Sequence, residues 1–129
     1  MNAAVQNPSR LVNVLVISQH DLVRRQLVAY LGRSPALLVS GDAFSSEAIA
    51  RARPDVLVLD LSQLDSHSLH QALDATRSVG SRVIALASIR EPSAERAVVA
   101  AGGLYRLKSA GADGLDEACS QPTATVRAG

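Results

Sequence analysis

A chain of 129 residues that is 47% apolar and 19% charged can bury one core, and it is short for two domains. Thirteen basic residues against twelve acidic leave a formal charge of +1, without the basic excess of a dedicated nucleic-acid binder, and three aromatic residues are too few for a base-stacking platform. Cys119 is the single cysteine, so an intramolecular disulfide and a cysteine-based zinc site are excluded.

Residues 1–10 carry no apolar core of signal-peptide length and read as a disordered tail. No apolar run approaches a membrane span, so the expected setting is cytoplasmic and reducing. From Leu11 to Cys119 two textures alternate. Leu11 to Ile17 reads as a first strand. Val23, Leu27, Tyr30 and Leu31 repeat at helical spacing, with Gly32 placed to end that helix. Leu37 to Ser40 gives a second strand, and Ser45 or Ser46 caps a second helix that Pro54 limits. Val56 to Asp60 is a third strand, apolar on both faces as a central parallel strand must be. Leu69, Leu73 and Thr76 set the buried face of a third helix, closed by Gly80. Val83 to Ala87 is a fourth strand. Ser93 after Pro92 opens a fourth helix that Gly102 and Gly103 end, and a weaker strand spans Leu104 to Leu107. A fifth helix runs from about Ala112 to Cys119, which sits there as a small apolar side chain. Residues 120–129 read as a second tail or a truncated linker.

Alternation of this kind predicts an α/β fold, a five-stranded parallel doubly wound sheet flanked by helices on both faces. Sites in such sheets lie at the carboxyl ends of the strands. Asp60 ends the most apolar strand, where it is either a turn carboxylate satisfied by backbone N–H groups or a reactive group at the mouth of the sheet. Lys108 ends the last strand and is the only lysine beside twelve arginines, which points to a compact point charge within reach of Asp60.

Four segments, V-L-V-I-S-Q-H-D-L-V-R-R-Q-L (14–27), R-P-D-V-L-V-L-D-L (53–61), R-V-I-A-L-A (82–87) and A-G-G-L-Y-R-L-K-S-A (101–110), resemble response-regulator receiver domains. They look most like receivers that precede a LuxR-type helix-turn-helix. The resemblance covers residues 11–119 and implies a flavodoxin-like receiver fold. It puts Asp60 at the phosphoacceptor position, Lys108 at the phosphoryl-binding lysine, and Ala87 and Tyr105 at the two switch positions. It also exposes departures. Ser18 and Gln19 stand where the family has the acidic pair that holds Mg²⁺, Ala87 where it has a hydroxyl residue, Leu64 for a proline and Ser68 for a glycine. Ser88, one position from Ala87, is expected to point elsewhere.

These departures have an electrostatic consequence. Three carboxylates and one lysine give the family site a charge of −2, whereas Asp60 and Lys108 sum to zero. Mg²⁺ is held through carboxylates and supplies several kcal/mol of charge stabilisation to phosphoryl transfer. Mg²⁺ binding is therefore expected to be lost, with no other metal or cofactor, and Asp60 is expected to pair with Lys108 instead. Tyr105 is expected to rest inward in one state.

Other constellations carry less. Ser18, His20 and Asp21 are neighbours in one loop rather than a converging triad, so no enzyme activity is expected. His67 and His70 fall at i, i+3 on the third helix and read as solvated, as do Arg24 with Arg25 and Arg51 with Arg53. The expected function is an atypical receiver in two-component signalling or transcriptional regulation, working as a phosphorylation-independent interaction and dimerisation module. Its alternatives are a receiver weakly phosphorylated on Asp60 by a histidine kinase, or a small-molecule-sensing pseudo-receiver. A homodimer is expected through the fourth helix, last strand and last helix, with Ala97, Val98, Ala101 and Leu115 on offer. DNA would be reached only through an output domain outside this chain.

Overall fold

The computed structural model describes residues 11–121, and both tails except Ser120 and Gln121 lie outside that range. Five strands, β1 (Val12–Ile17), β2 (Leu37–Asp42), β3 (Val56–Asp60), β4 (Arg82–Ala87) and β5 (Leu104–Leu107), form one parallel sheet in the order β2-β1-β3-β4-β5. The helices are α1 (Asp21–Gly32), α2 (Ser46–Ala52), α3 (Ser66–Val79), α4 (Pro92–Ala100) and α5 (Leu115–Ser120), with a 3₁₀ turn over Lys108–Ala110.

Strand alternation sorts the apolar side chains onto two faces. Leu15, Ile17, Leu57, Leu59, Val83 and Ala85 pack against Ile49, Leu69, Leu73 and Val98 of α2, α3 and α4. Val14, Val16, Val56, Val58, Ile84 and Leu86 pack against Leu31, Leu115 and Cys119 of α1 and α5. Every residue of β3 is buried, as its unbroken apolar run requires. Each fully buried Leu or Ile contributes about 1.5–3 kcal/mol of transfer free energy.

Helix ends follow local chemistry. Ser45 caps α2 by accepting from the Ala48 N–H, so Ser45 rather than Ser46 is the cap. Asp65 and Glu91 cap α3 and α4 through the N–H groups of Ser68 and Ala94, and Pro92 is the first residue of α4, one earlier than the sequence indicates. Gly80 closes α3 in the left-handed conformation. Gly32 is the last residue of α1, as expected, and Arg33 follows as its cap in right-handed geometry just ahead of the Ser34–Pro35 break. One boundary differs from expectation. Residues 112–114 are not helical, because Gly111 and Gly114 take positive φ and the Arg106 guanidinium holds the Gly111 and Asp113 carbonyls in a loop. Helix α5 therefore starts at Leu115 and continues to Ser120.

Among the described residues no helix is long and apolar enough to cross a membrane.

Candidate functional site

Strand order reverses between β1 and β3, the place where a parallel sheet opens a crevice at its carboxyl edge. Ser18 follows β1 and Asp60 ends β3, so topology alone brings them together. In register, Asp60 lies beside Leu86 and Ala87 beside Leu107, which sets Lys108 one residue beyond the edge of β5.

Asp60 is fully buried at its side chain and surrounded by donors. Lys108 Nζ lies 2.7 Å from Oδ1, the Ser62 N–H donates to the same oxygen at 3.0 Å, and the Ser18 hydroxyl donates to Oδ2 at 2.8 Å. Burial pushes the Asp60 carboxyl up, but the hydrogen bonds from Lys108, the Ser62 N–H and Ser18, with the lysine charge, outweigh it and hold the group below its ordinary value. Lys108 remains 29% exposed and also donates to the Ser62 hydroxyl at 2.7 Å. Two of its three N–H groups are thus accounted for.

The other residues singled out in the sequence are placed as follows. Ser18 is buried and accepts from the His20 N–H at 3.1 Å, so it meets the backbone of His20. Gln19 is exposed, and its side-chain carbonyl is taken by the Phe44 N–H at 2.7 Å, which ties the β1–α1 loop to the β2–α2 loop. Ala87 is buried at the end of β4. Tyr105 packs on the core while its hydroxyl donates to the Ile89 carbonyl and accepts from the Glu91 N–H, both at 3.1 Å. Leu64 packs against the core, and the Ser68 N–H serves the Asp65 cap. His67 and His70 are exposed, with His70 Nδ1 turned to the Ser66 carbonyl at 2.8 Å. Among the described residues no three His, Cys, Asp or Glu side chains are grouped to share an ion.

Three expectations need correction. Ser88 does not point away: the chain bends at 88–89, strand alternation stops, and its hydroxyl lies 3.4 Å from that of Ser62. Val98 and Leu115 are not surface residues for a partner, since both are buried in the core, and the exposed apolar side chains nearby are Val99 and Leu104. Arg24 is not simply solvated, because its guanidinium donates to the Ser18 carbonyl at 2.7 Å and pairs with Asp21. Ser62, within the strand-end segment Asp60 to Asp65 but given no role from the sequence, is a site residue. Its signal was its position two residues after a strand-ending Asp, the spacing of an Asx turn.

A magnesium site in this fold needs carboxylates that converge with Asp60. The donors actually beside it are a hydroxyl already bonded to Asp60 and, next along the chain, an amide carbonyl already bonded to Phe44, and that set does not fit the ion.

A cleft of about 570 Å³ opens next to this pair, between the β3–α3 loop, the start of α3 and the β4–α4 loop. Leu61, Leu64, Leu69, Ile89 and Ala94 give it apolar walls, and Ser62, Asp65, His70, Ser88 and Glu91 are among its polar lining.

The chain is similar to known proteins on three counts. Over 68 residues it is 44% identical to the DNA-binding transcriptional activator DevR/DosR of Mycobacterium tuberculosis, a match covering 50% of this chain and 31% of that protein. The chain thus spans about a third of that relative's length. Its fold matches the signal receiver domain of NarL from Mycobacterium tuberculosis with a TM-score of 0.68 and 27% identity, covering 84% of this chain and 93% of that one. A LuxR-family DNA-binding response regulator from Staphylococcus aureus matches with a TM-score of 0.70 and 18% identity, over 83% and 94% of the two chains. No family model matches the chain.

Proposed function

Taking as premise that the chain is a response-regulator receiver domain, we propose that it signals without phosphorylation, as a pseudo-receiver whose Asp60–Lys108 pair is a fixed structural element. The observation that carries this reading is the complete set of protein donors around Asp60, with a serine hydroxyl where a second carboxylate would be needed to draw a dication. An aspartyl-phosphate would have to displace Lys108 and Ser18 and develop its charge without a metal to neutralise it. The Ala87 methyl has no hydroxyl to offer a phosphoryl oxygen, and two hydrogen bonds anchor Tyr105 to the β4–α4 loop. Both features support a single resting state.

In this reading the domain acts by contact, in the cytoplasm and without enzymatic chemistry. Val99 of α4 and Leu104 of β5 are 56% and 48% exposed and offer an apolar surface through which two copies would pair. Regulation of transcription would run through a DNA-binding output domain; the Mycobacterium tuberculosis and Staphylococcus aureus relatives are themselves DNA-binding proteins.

Acetyl phosphate with millimolar Mg²⁺, followed by intact-mass measurement, tests the proposal. The expected result is an unmodified chain and unmoved Tyr105 resonances. A phosphoryl adduct mapped to Asp60 overturns it and restores the histidine-kinase reading.

A further inference from the structure

We infer that the cleft beside the ion pair is a binding site for a small, uncharged, largely apolar molecule that carries one hydrogen-bond acceptor, such as a carbonyl. The inference does not depend on whether Asp60 is phosphorylated.

Size and lining come first. At about 570 Å³ the cleft lies in the range of small-molecule sites, and Leu61, Leu64, Leu69, Ile89 and Ala94 give it aliphatic wall between the polar groups of its two loops. Ile89 stands on its lining with 72% of its surface exposed, and a ligand seated against it would cover that apolar area. Small side chains keep the space open. Ala87 and Ala94 face it from β4 and α4, and the Tyr105 hydroxyl, bonded to Ile89 and Glu91, holds the phenol ring at the wall instead of across the opening.

The Ser62 and Ser88 hydroxyls fix the kind of head group. The Ser62 hydroxyl accepts from Lys108, so its own proton is free to be donated, and its nearest neighbour is the Ser88 hydroxyl at 3.4 Å. An acceptor seated beside this long contact can take the Ser62 proton in place of Ser88. Charge weighs against an anion. Asp65 and Glu91 lie on the lining and no lysine or arginine does; His70, also on it, has its Nδ1 turned to the Ser66 carbonyl, and the Lys108 charge behind Ser62 is already matched by Asp60. Both lining carboxylates are held ionised by the N–H groups they cap. A carboxylate or phosphate would therefore enter against two like charges, and a neutral acceptor would not.

Because Ser62 is bonded to Lys108, a ligand that takes the Ser62 proton touches the ion pair through one side chain. The site gives the receiver a chemical input at the edge of the sheet, where α4 begins.

Acetophenone, a ring with one carbonyl, and benzoate, the same ring with a negative charge, are suitable probes. Each would be titrated into the full ¹⁵N-labelled chain and followed by amide shifts. Acetophenone is expected to shift residues 61–69, 88–94 and Tyr105 saturably, with benzoate at least about ten-fold weaker. Ala94→Leu adds bulk to the lining and should weaken acetophenone by about ten-fold, and Ile89→Ser, at an exposed position that leaves folding intact, by about three-fold. Non-saturable or scattered shifts overturn the inference, as does binding indifferent to Ile89→Ser. Benzoate binding as tightly as acetophenone overturns the assignment to uncharged ligands.

Discussion

Ser18 donates a 2.8 Å hydrogen bond to Oδ2 of Asp60 across the carboxyl ends of β1 and β3. The same place, filled by a second carboxylate, would set two like charges within hydrogen-bond distance, an arrangement that a bound cation or a shared proton has to relieve. The hydroxyl removes the repulsion and with it the reason for an ion. Restoring the acids makes the point measurable. Ser18→Asp with Gln19→Asp should cost about 2–4 kcal/mol of stability in EDTA, on the scale of two unit charges at close range. Millimolar Mg²⁺ should return much of it. Urea unfolding with and without the ion reads both effects, and the parent chain should show no such dependence.

The ion pair itself is asymmetric, with Asp60 buried and Lys108 partly in water. Removing the lysine strands a buried carboxylate, while removing both charges leaves none. Lys108→Met should therefore destabilise by about 2–4 kcal/mol, and the double variant Asp60→Asn, Lys108→Met by clearly less. A double-mutant cycle in urea gives the coupling directly.

Acid sensitivity follows from the same carboxylate. Its folded pKa is lowered, so the unfolded chain binds the proton more tightly, and the stability this contributes is present above the unfolded value of about 4. It is lost as pH falls from there through the folded value. Asp60→Asn should show a shallower loss of stability below about pH 4 than the parent. Asp65 and Glu91 are also held low by their helix caps, and because both remain in the variant, the difference between the two curves isolates Asp60.

Much of this was legible in the sequence for physical reasons. Asp60 stood out because a carboxylate ended an otherwise apolar strand, and Lys108 because one lysine stood among twelve arginines. Parallel topology then required both at one edge. What the sequence hid depended on chain direction outside the strands. Ser62 joins the site through a turn in which Gln63 takes a positive φ, and Ser88 through a bend that ends the alternation of β4. Val98 and Leu115 were placed on a surface because apolar spacing marks an apolar face without saying whether a core or a partner covers it.

Gly103 precedes β5 and runs close to α4. A Cβ there would lie 3.0 Å from the Val83 carbonyl oxygen and 3.1 Å from that of Val98, with the Val98 methyl at 2.9 Å. Two of these three obstacles are backbone, which cannot rotate away. Gly103→Ala should destabilise by about 1–3 kcal/mol, seen as a lower urea midpoint at unchanged slope. At Gly41 the near atoms belong to the side chains of Val28 and Arg24, and the same substitution should cost less.

The last helix is short and is held by a residue from the sheet. Arg82 of β4 donates to the Cys119 carbonyl at 2.8 Å and the Ala118 carbonyl at 3.2 Å, supplying positive charge where the α5 carbonyls are left unpaired. Beneath it the Cys119 thiol is fully buried, and burial pushes it up to about 11, with the Arg82 charge opposing. At pH 8 the thiolate is therefore scarce as well as covered, and a disulfide reagent such as Ellman's reports opening of α5. Losing the two bonds in Arg82→Met lowers the opening free energy by roughly 1–1.5 kcal/mol, which corresponds to labelling about ten-fold faster. The global midpoint should move far less than that factor. A labelling rate that follows only the global stability would show instead that Cys119 is exposed by whole-domain unfolding and that Arg82 does not hold the helix.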